Sequence, residues 1–290
     1  MARTLMITGA SGQLGRLVVD ALIRRGGDDR LVAGTREPSN LAALADRGVE
    51  VRKVDFDDER GMTEAFRGVD RLLVISGSSV TPGVRAAQHG RAVRAAAEAG
   101  VGHLVYTSFT NPSPASVVQV AADHAATEQA LADSGVPFTS LRNNLYADFL
   151  LDALQQAAAS GAWHTARGDA AAAYVTRGDC ARAAVAALVD RSEETRALEI
   201  TGPEALTGDE IASLASELRG EPIRHVPLSE EAWGAALEQA GLPTPVIQLL
   251  LSFERGIARG ELAAVGDGFE RLGIEPASSL RDFLRERLPR

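Results

Sequence analysis

Near the amino terminus, the run Thr8-Gly-Ala-Ser-Gly-Gln-Leu-Gly15 places glycines at 9, 12 and 15. That spacing suits the binding of a phosphate. Gly9 permits a tight turn, Gly12 lets a pyrophosphate approach the backbone, and Gly15 lets a helix pack closely on the preceding strand. The amides around Ser11, Gly12, Gln13 and Leu14, at the start of that helix and at the positive end of its dipole, would then receive the phosphates. A glycine turn without a ligand is the structural alternative. A glycine triplet alone is weak evidence, but here it sits in a strand–turn–helix unit followed by four more of the same kind.

Three later strand ends carry side chains suited to the same ligand. Where an NAD-binding chain usually has Asp or Glu to hold the ribose hydroxyls, this one has Thr35-Arg36. A guanidinium at Arg36 can clasp a 2′-phosphate through paired hydrogen bonds, with Ser39 and Asn40 beside it. NADP(H) is therefore the expected cofactor, with NAD(H) as the lesser choice. Asp55 could accept the adenine amino group and Phe56 could line the base, while Asp57 and Asp58 are expected to start a helix and stay solvated. Ser76-Gly77 offers small residues where a ribose must come close. Each of these alone reads equally as an ordinary turn.

The elements that must position these residues alternate regularly. Strands are expected at 3–8, 30–35, 49–54, 71–76, 103–107 and 137–141, with helices near 12–25, 40–47, 58–66, 83–99 and 117–134. Runs such as LLVIS and HLVYT are almost continuously apolar, as in a parallel sheet covered by helices on both faces. The fold class is α/β, a Rossmann-like doubly wound parallel sheet whose ligands bind at the carboxyl edge. After Leu141 the rhythm changes. Helices are expected at 145–159, 177–190, 207–219, 229–240, 245–259 and 278–287, and Thr207 with Glu210 forms a capping box. The expected organisation is a dinucleotide-binding domain over 1–150 and a smaller α/β substrate lobe over 151–290, interleaved with the sheet and joined without a flexible linker.

Composition excludes several functions. Acidic residues outnumber basic ones 39 to 30, for a formal net charge of −9 and a pI near 5.2, which is no footprint for direct nucleic-acid binding. Apolar stretches are interrupted well before the ~20 residues of a membrane span. The opening MARTLMITGA runs straight into a strand, so a cytoplasmic location is expected. A single cysteine, Cys180, rules out an intrachain disulfide, and His103, His164 and His225 lack ligand spacing, so no metal site is expected. Lys53 is the only lysine; the other 29 of the 30 basic residues are arginine. Any lysine-dependent chemistry must use Lys53, which lies in a strand entering an acidic loop. Ser108 lacks a G-x-S-x-G context, against a hydrolase.

TGASGQLG, the strand-two TRE, VRKVDFDD, LLVISGSS, RAAQHGRAVRAAAEAGVGHLVYTS and DHAATEQALADSGVPFTSLRNNLYADF together resemble the NmrA-like branch of atypical short-chain dehydrogenases. Within that branch the likeness is greatest to NADPH-dependent quinone oxidoreductases. It is dense over 4–150 and looser beyond. The resemblance implies an NADPH-binding Rossmann domain, a small C-terminal lobe, and a quinone or related carbonyl substrate at their junction.

The larger short-chain family uses Ser, Tyr and a Tyr-x-x-x-Lys pair. Here Thr107-Ser108 follows strand five, with Thr107 counted among the cofactor residues. His124-Ala-Ala-Thr-Glu128 stands where Tyr-x-x-x-Lys would fall, so the dyad is absent. By resemblance, the segment Arg142-Asn-Asn-Leu-Tyr146 approaches the nicotinamide and substrate. Asn143 could orient an oxygen or amide, or satisfy loop backbone; Tyr146 could stack, donate a hydrogen bond, or pack between lobes. His124 could donate a proton near neutral pH, or pair with Glu128 one turn on. His89 reads as structural, with Gln88 able to reach the cofactor cleft.

Quinone reduction suits such a site, because hydride addition gives a stabilised phenolate-type anion that needs little help from an enzymic acid. The expected function is hydride transfer from NAD(P)H to a quinone or quinone-like aromatic carbonyl, with a small-molecule partner. Two alternatives stand: a tailoring oxidoreductase of aromatic natural-product synthesis, and a dinucleotide-sensing regulator without turnover. The apolar C-terminal helices suit a homodimer interface as readily as a cover for the cleft.

Overall fold

A computed structural model describes residues 2–288. Its centre is a seven-stranded parallel sheet in the order β3-β2-β1-β4-β5-β6-β9. These strands are β1 (Thr4–Ile7), β2 (Arg30–Thr35), β3 (Glu50–Lys53), β4 (Arg71–Val74), β5 (His103–Phe109), β6 (Phe138–Asn143) and β9 (Arg196–Ile200). The order reverses between β1 and β4, opening a crevice at their carboxyl ends. Side chains alternate across the sheet, which explains the unbroken apolar runs. Leu5, Ile7, Leu73, Val105 and Leu198 face α1 (Gln13–Arg25) and α6 (Arg177–Val189). Met6, Leu72, Val74, Leu104 and Tyr106 face α2 (Glu59–Phe66), α3 (Val84–Glu98) and α4 (Gln119–Asp133). Cys180 and four alanines of α6 are buried there, small enough for two helices to approach closely.

Strands five and six run further than expected. Parallel pairing continues through Phe109↔Asn143, and Asn143 also pairs with Ile200 of β9. Thr107, Ser108, Arg142 and Asn143 therefore sit on rigid strands rather than in following loops. The helix expected from 145 begins at Asp148, because Tyr146 bridges to Val175 and the Ala147 amide donates to the Val175 carbonyl. The segment Pro38–Arg47 winds as a 3-10 helix.

A second apolar cluster joins α5 (Asp148–Ser160), α7 (Gly208–Arg219), α9 (Thr244–Ala258) and α11 (Leu280–Arg287) over the carboxyl side of the sheet. Two small sheets pin it. β7 (Ala162–Thr165) pairs in parallel with β11 (Arg224–Pro227), and β8 (Ala171–Ala172) is antiparallel to β10 (Leu206–Thr207). The capping box at the start of α7 is present, with Thr207 and Glu210 reciprocally bonded. No helix among the described residues is long and apolar enough to cross a membrane.

Candidate active site at the carboxyl edge of the sheet

The glycine turn has the geometry its residue types demand. Gly9 adopts φ +59°, a conformation open to glycine at little cost. A methyl group at Gly15 would lie 2.7 Å from the Ala10 Cα and collide with the Gly9 carbonyl, so helix and turn touch backbone to backbone. The Ala10 amide donates to the Gly34 carbonyl (3.0 Å) and that of Gly12 to the Gly9 carbonyl (2.9 Å). No side chain caps α1 and no acid lies in its first turn, which leaves its opening amides to an incoming anion. Ser11 binds Thr35 hydroxyl to hydroxyl at 3.0 Å. Gln13 is exposed, whereas Leu14 packs into the core beside β1.

This turn forms one wall of a cleft of about 750 Å³, in the size range of small-molecule and cofactor sites. Gly9, Ser11, Gly12, Arg36, Asp55, Phe56, Ser76 and Gly77 all line it, with Asn40, Ser79 and Gln88. Arg36 is exposed and forms no ion pair or hydrogen bond among the described residues, so its guanidinium is free for an anion. Ser39 instead donates to Glu37 (2.8 Å). One oxygen of Asp55 accepts from the Asp57 amide (3.1 Å). Asp58 caps α2 by accepting from the Gly61 amide, as expected, but Asp57 is not merely solvated: it pairs with Arg91 and accepts from Gln88.

Thr107 does not line the cleft. Its hydroxyl accepts from the Ser76 amide (2.9 Å) and so holds the wall from behind. Asn143 is buried; its amide nitrogen donates to the Tyr146 hydroxyl at 3.5 Å, and its Oδ1 has no partner among the described residues. A buried acceptor left unpaired is uncommon, but Asn143, Tyr146 and His124 are not among the residues that line the cleft. Burial pushes the Tyr146 hydroxyl well above its usual range, so it is protonated at neutral pH. The Arg177 guanidinium lies 5.0 Å from the centre of its ring.

His124 and Glu128 do not pair; they belong to two separate networks. His124 is buried, with Nδ1 2.6 Å from the Tyr106 hydroxyl and Nε2 3.3 Å from Arg85. Burial, with the nearby Arg85 charge and His89, holds its pKa far below the ordinary histidine value, so the ring is neutral. Glu128 accepts from Ser108 (2.7 Å), Ser140 (2.6 Å) and both Nε and Nη2 of Arg142. Burial works to raise its pKa, but those hydrogen bonds hold it below the usual carboxylate value. Neither group has the proton affinity of a neutral-pH acid. Sequence reasoning missed Tyr106 and Arg85. A hydroxyl-bearing ring in the apolar strand HLVYT, and Arg85 with His89 one turn apart on α3, were the available signals.

Phe149 is 61% exposed, whereas Trp163 and Tyr174 are buried around Arg167, and Phe253 packs on Phe109. No cluster of three potential metal ligands occurs among the described residues.

Fold and edge together define a dinucleotide-binding oxidoreductase of the atypical short-chain type, without a Tyr-x-x-x-Lys pair. The model of the NmrA-like family matches residues 1–276, and the chain belongs to that family. It is 35% identical over 276 residues to quinone oxidoreductase 2 of Escherichia coli, covering 95% of this chain and 96% of the relative. The structure of an NADPH-dependent quinone oxidoreductase from Escherichia coli, complexed with NADPH, superposes with a TM-score of 0.91 at 34% identity, covering 97% and 98% of the two chains. The triphenylmethane reductase of a Citrobacter species, complexed with NADP(H), gives a TM-score of 0.91 at 33% identity over 99% of this chain and 100% of that one.

Proposed function

We propose that this protein is an NADPH-dependent reductase that acts on quinones or quinone-like aromatic carbonyls. The observation that carries the reading is the absence of a usable acid at positions 124 and 128, in a chain 35% identical to a quinone oxidoreductase. His124 is buried and neutral, and Glu128 is locked as a carboxylate against Arg142. A site so built suits an acceptor whose reduced anion is already stable.

The cleft fits the cofactor on its own geometry. The open amides of α1 would hold the pyrophosphate, Arg36 with Asn40 the 2′-phosphate, and Asp55 with Phe56 the base, all of them on one cleft. By the family resemblance Asn143, whose Oδ1 is unpaired though it does not line the cleft, would hold the carboxamide. NADPH supplies the hydride when bound. Asn143 donates to the Tyr146 hydroxyl, to which we assign the orienting of an acceptor oxygen.

The test is anaerobic oxidation of NADPH with a panel of simple and polycyclic quinones, with NADH alongside and cofactor binding titrated on the same preparation. Quinone-dependent turnover is expected. Tight NADPH binding without turnover on any acceptor would overturn the reductase reading in favour of a sensor. Arg36→Asp should weaken NADPH about tenfold or more, the worth of a lost charged hydrogen bond, with little change for NADH. Equal losses for both cofactors would remove Arg36 from the 2′-phosphate. Tyr146→Phe should lower turnover and leave NADPH affinity intact.

A further inference from the structure

The inner wall of the cleft is a strap, residues 75–83, that runs between β4 and α3 without regular structure. Residues 75–79 of it face the cleft. Among the described residues, the strap joins no sheet ladder. Its main chain is held by six side chains instead. The Ile75 amide donates to the Thr8 hydroxyl (3.0 Å), and that of Ser76 to Thr107 (2.9 Å). The Gly77 amide donates to His89 Nε2 (2.8 Å), and that of Gly83 to Asp123 Oδ1 (3.0 Å). Arg85 Nη2 donates to the Ser79 carbonyl (2.9 Å), and Gln119 Nε2 to that of Val80 (2.8 Å).

Two of these tethers are unusual in their chemistry. Arg85 is buried and forms no ion pair among the described residues; its partners are the Ser79 carbonyl and His124. An apolar side chain would fill that space without the desolvation cost of a guanidinium. His89 is fully buried, and accepting from Gly77 fixes its proton on Nδ1, which faces the Thr127 and Tyr106 hydroxyls at 3.1 Å each. Tyr106 in turn meets His124, and His124 meets Arg85. The two tethers are therefore joined behind the strap by one buried chain, Arg85–His124–Tyr106–His89.

We propose that Arg85 and His89 are positioning residues, which hold the strap in the shape that receives the cofactor and act on the reaction only through it. Tyr106 and His124 couple the two. Without Arg85 and His89 the strap would keep its ends and the Gln119 bond at Val80 but lose its bonds at Gly77 and Ser79, and the cofactor would have to order that stretch on binding. The inference rests on the reading of the cleft as an NADP(H) site.

The test uses Arg85→Met, Arg85→Lys and His89→Leu in the full chain, with Arg71→Met as a control. Arg71 is also buried, but it holds the end of α6 at the opposite side of the sheet by donating to the Ala187 and Ser192 carbonyls. Two readouts apply: the Kd for NADPH with the KM for the acceptor, and amide hydrogen exchange of Gly77 and Gly83 without cofactor. Arg85→Met and His89→Leu should raise the NADPH Kd and KM about tenfold or more, leave the acceptor KM within about twofold, and speed exchange of Gly77 at least about tenfold. Arg85→Lys should recover most of the loss. Arg71→Met should lower Tm and leave both readouts unchanged.

Wild-type Kd and exchange in Arg85→Met and His89→Leu would overturn the proposal. If Arg85→Met fails to fold, His89→Leu and Arg85→Lys decide it by the same two readouts. Failure of the unmodified protein to bind NADPH would overturn the cofactor reading as well; intact binding with unaltered variants overturns the strap inference alone.

Discussion

Helix α4 carries two polar networks one turn apart, and they are built on opposite principles. At His124 the members are neutral rings and hydroxyls, wholly buried, with Arg85 as the one charge. At Glu128 the members are ions. Arg142 joins Glu128 and Glu199, and Ser108, Ser140 and Thr110 add hydroxyls. The first reaches backwards to a strap that lines the cleft. The second ties α4 to β5, β6 and β9, so it holds the sheet together. In the wider short-chain family the same two positions would carry a tyrosine and a lysine that do chemistry. Here each is absorbed by its surroundings: one by burial, which removes charge, and one by pairing, which fixes it.

The comparison breaks most visibly if the ionic network can be reversed without loss. Glu128→Lys sets a second cation against Arg142 and strips two serine hydroxyls of their acceptor. Roughly 4 kcal/mol of stability should vanish, read as a lower urea midpoint at constant slope. Adding His124→Tyr should create no alcohol dehydrogenase activity, since neither new group would face the cleft. A stable, active double variant would refute the account of both positions.

Acidification separates the networks next. His89 is depressed to about 3, and His124 lies well below its ordinary value, because burial disfavours the imidazolium. Both are neutral in the folded chain and protonate freely when it unfolds. Their contribution is therefore complete above pH 6.5 and is lost as pH falls toward their folded values. Each histidine should withdraw up to about 1.4 kcal/mol per pH unit below 6.5. His124→Asn should shrink the loss between pH 6.5 and 5 by about 1.7 kcal/mol, whereas Glu128→Gln should leave that slope unchanged. A stability curve flat over this window would contradict the burial argument.

A smaller effect sharpens the contrast. Ser108→Ala removes one hydrogen bond to a carboxylate and should cost about 1.5 kcal/mol while NADPH affinity holds. Smallest is Thr207→Ala, which deletes the cap of α7 far from both networks and should cost about 1 kcal/mol. It sets the scale for an ordinary local change, and thermal unfolding of the two variants side by side gives the ratio.

Much of the cleft's lining was legible in the sequence because its signals are local. Gly9 and Gly15 are the residue types their backbone geometry requires, and Arg36 follows a strand end directly. The strands of the first half were readable from apolar runs, although their ends were not: β5 and β6 extend because each has a neighbour to pair with. The networks behind the site were illegible for a physical reason. Arg142 and Glu199 stand 57 residues apart, and only strand order brings them together. Helical spacing predicts that His124 pairs with Glu128, but adjacent turns point to different neighbours, Tyr106 on one side and Arg142 on the other. The four short strands β7, β8, β10 and β11 were too brief to leave a periodic signal.

The strand order also constrains how the molecule can be made. The sheet takes its last strand, β9, from residues 196–200, after α5, β7, β8 and α6. A ribosome must therefore release about two thirds of the chain before β6 gains its second neighbour. Until then β6 is an open edge, with the backbone groups of Thr139 to Asn143 unpaired on one side. Nascent chains stalled before residue 196 should be the ones that chaperones retain, and a gene cut near 150 should yield a fragment prone to self-association.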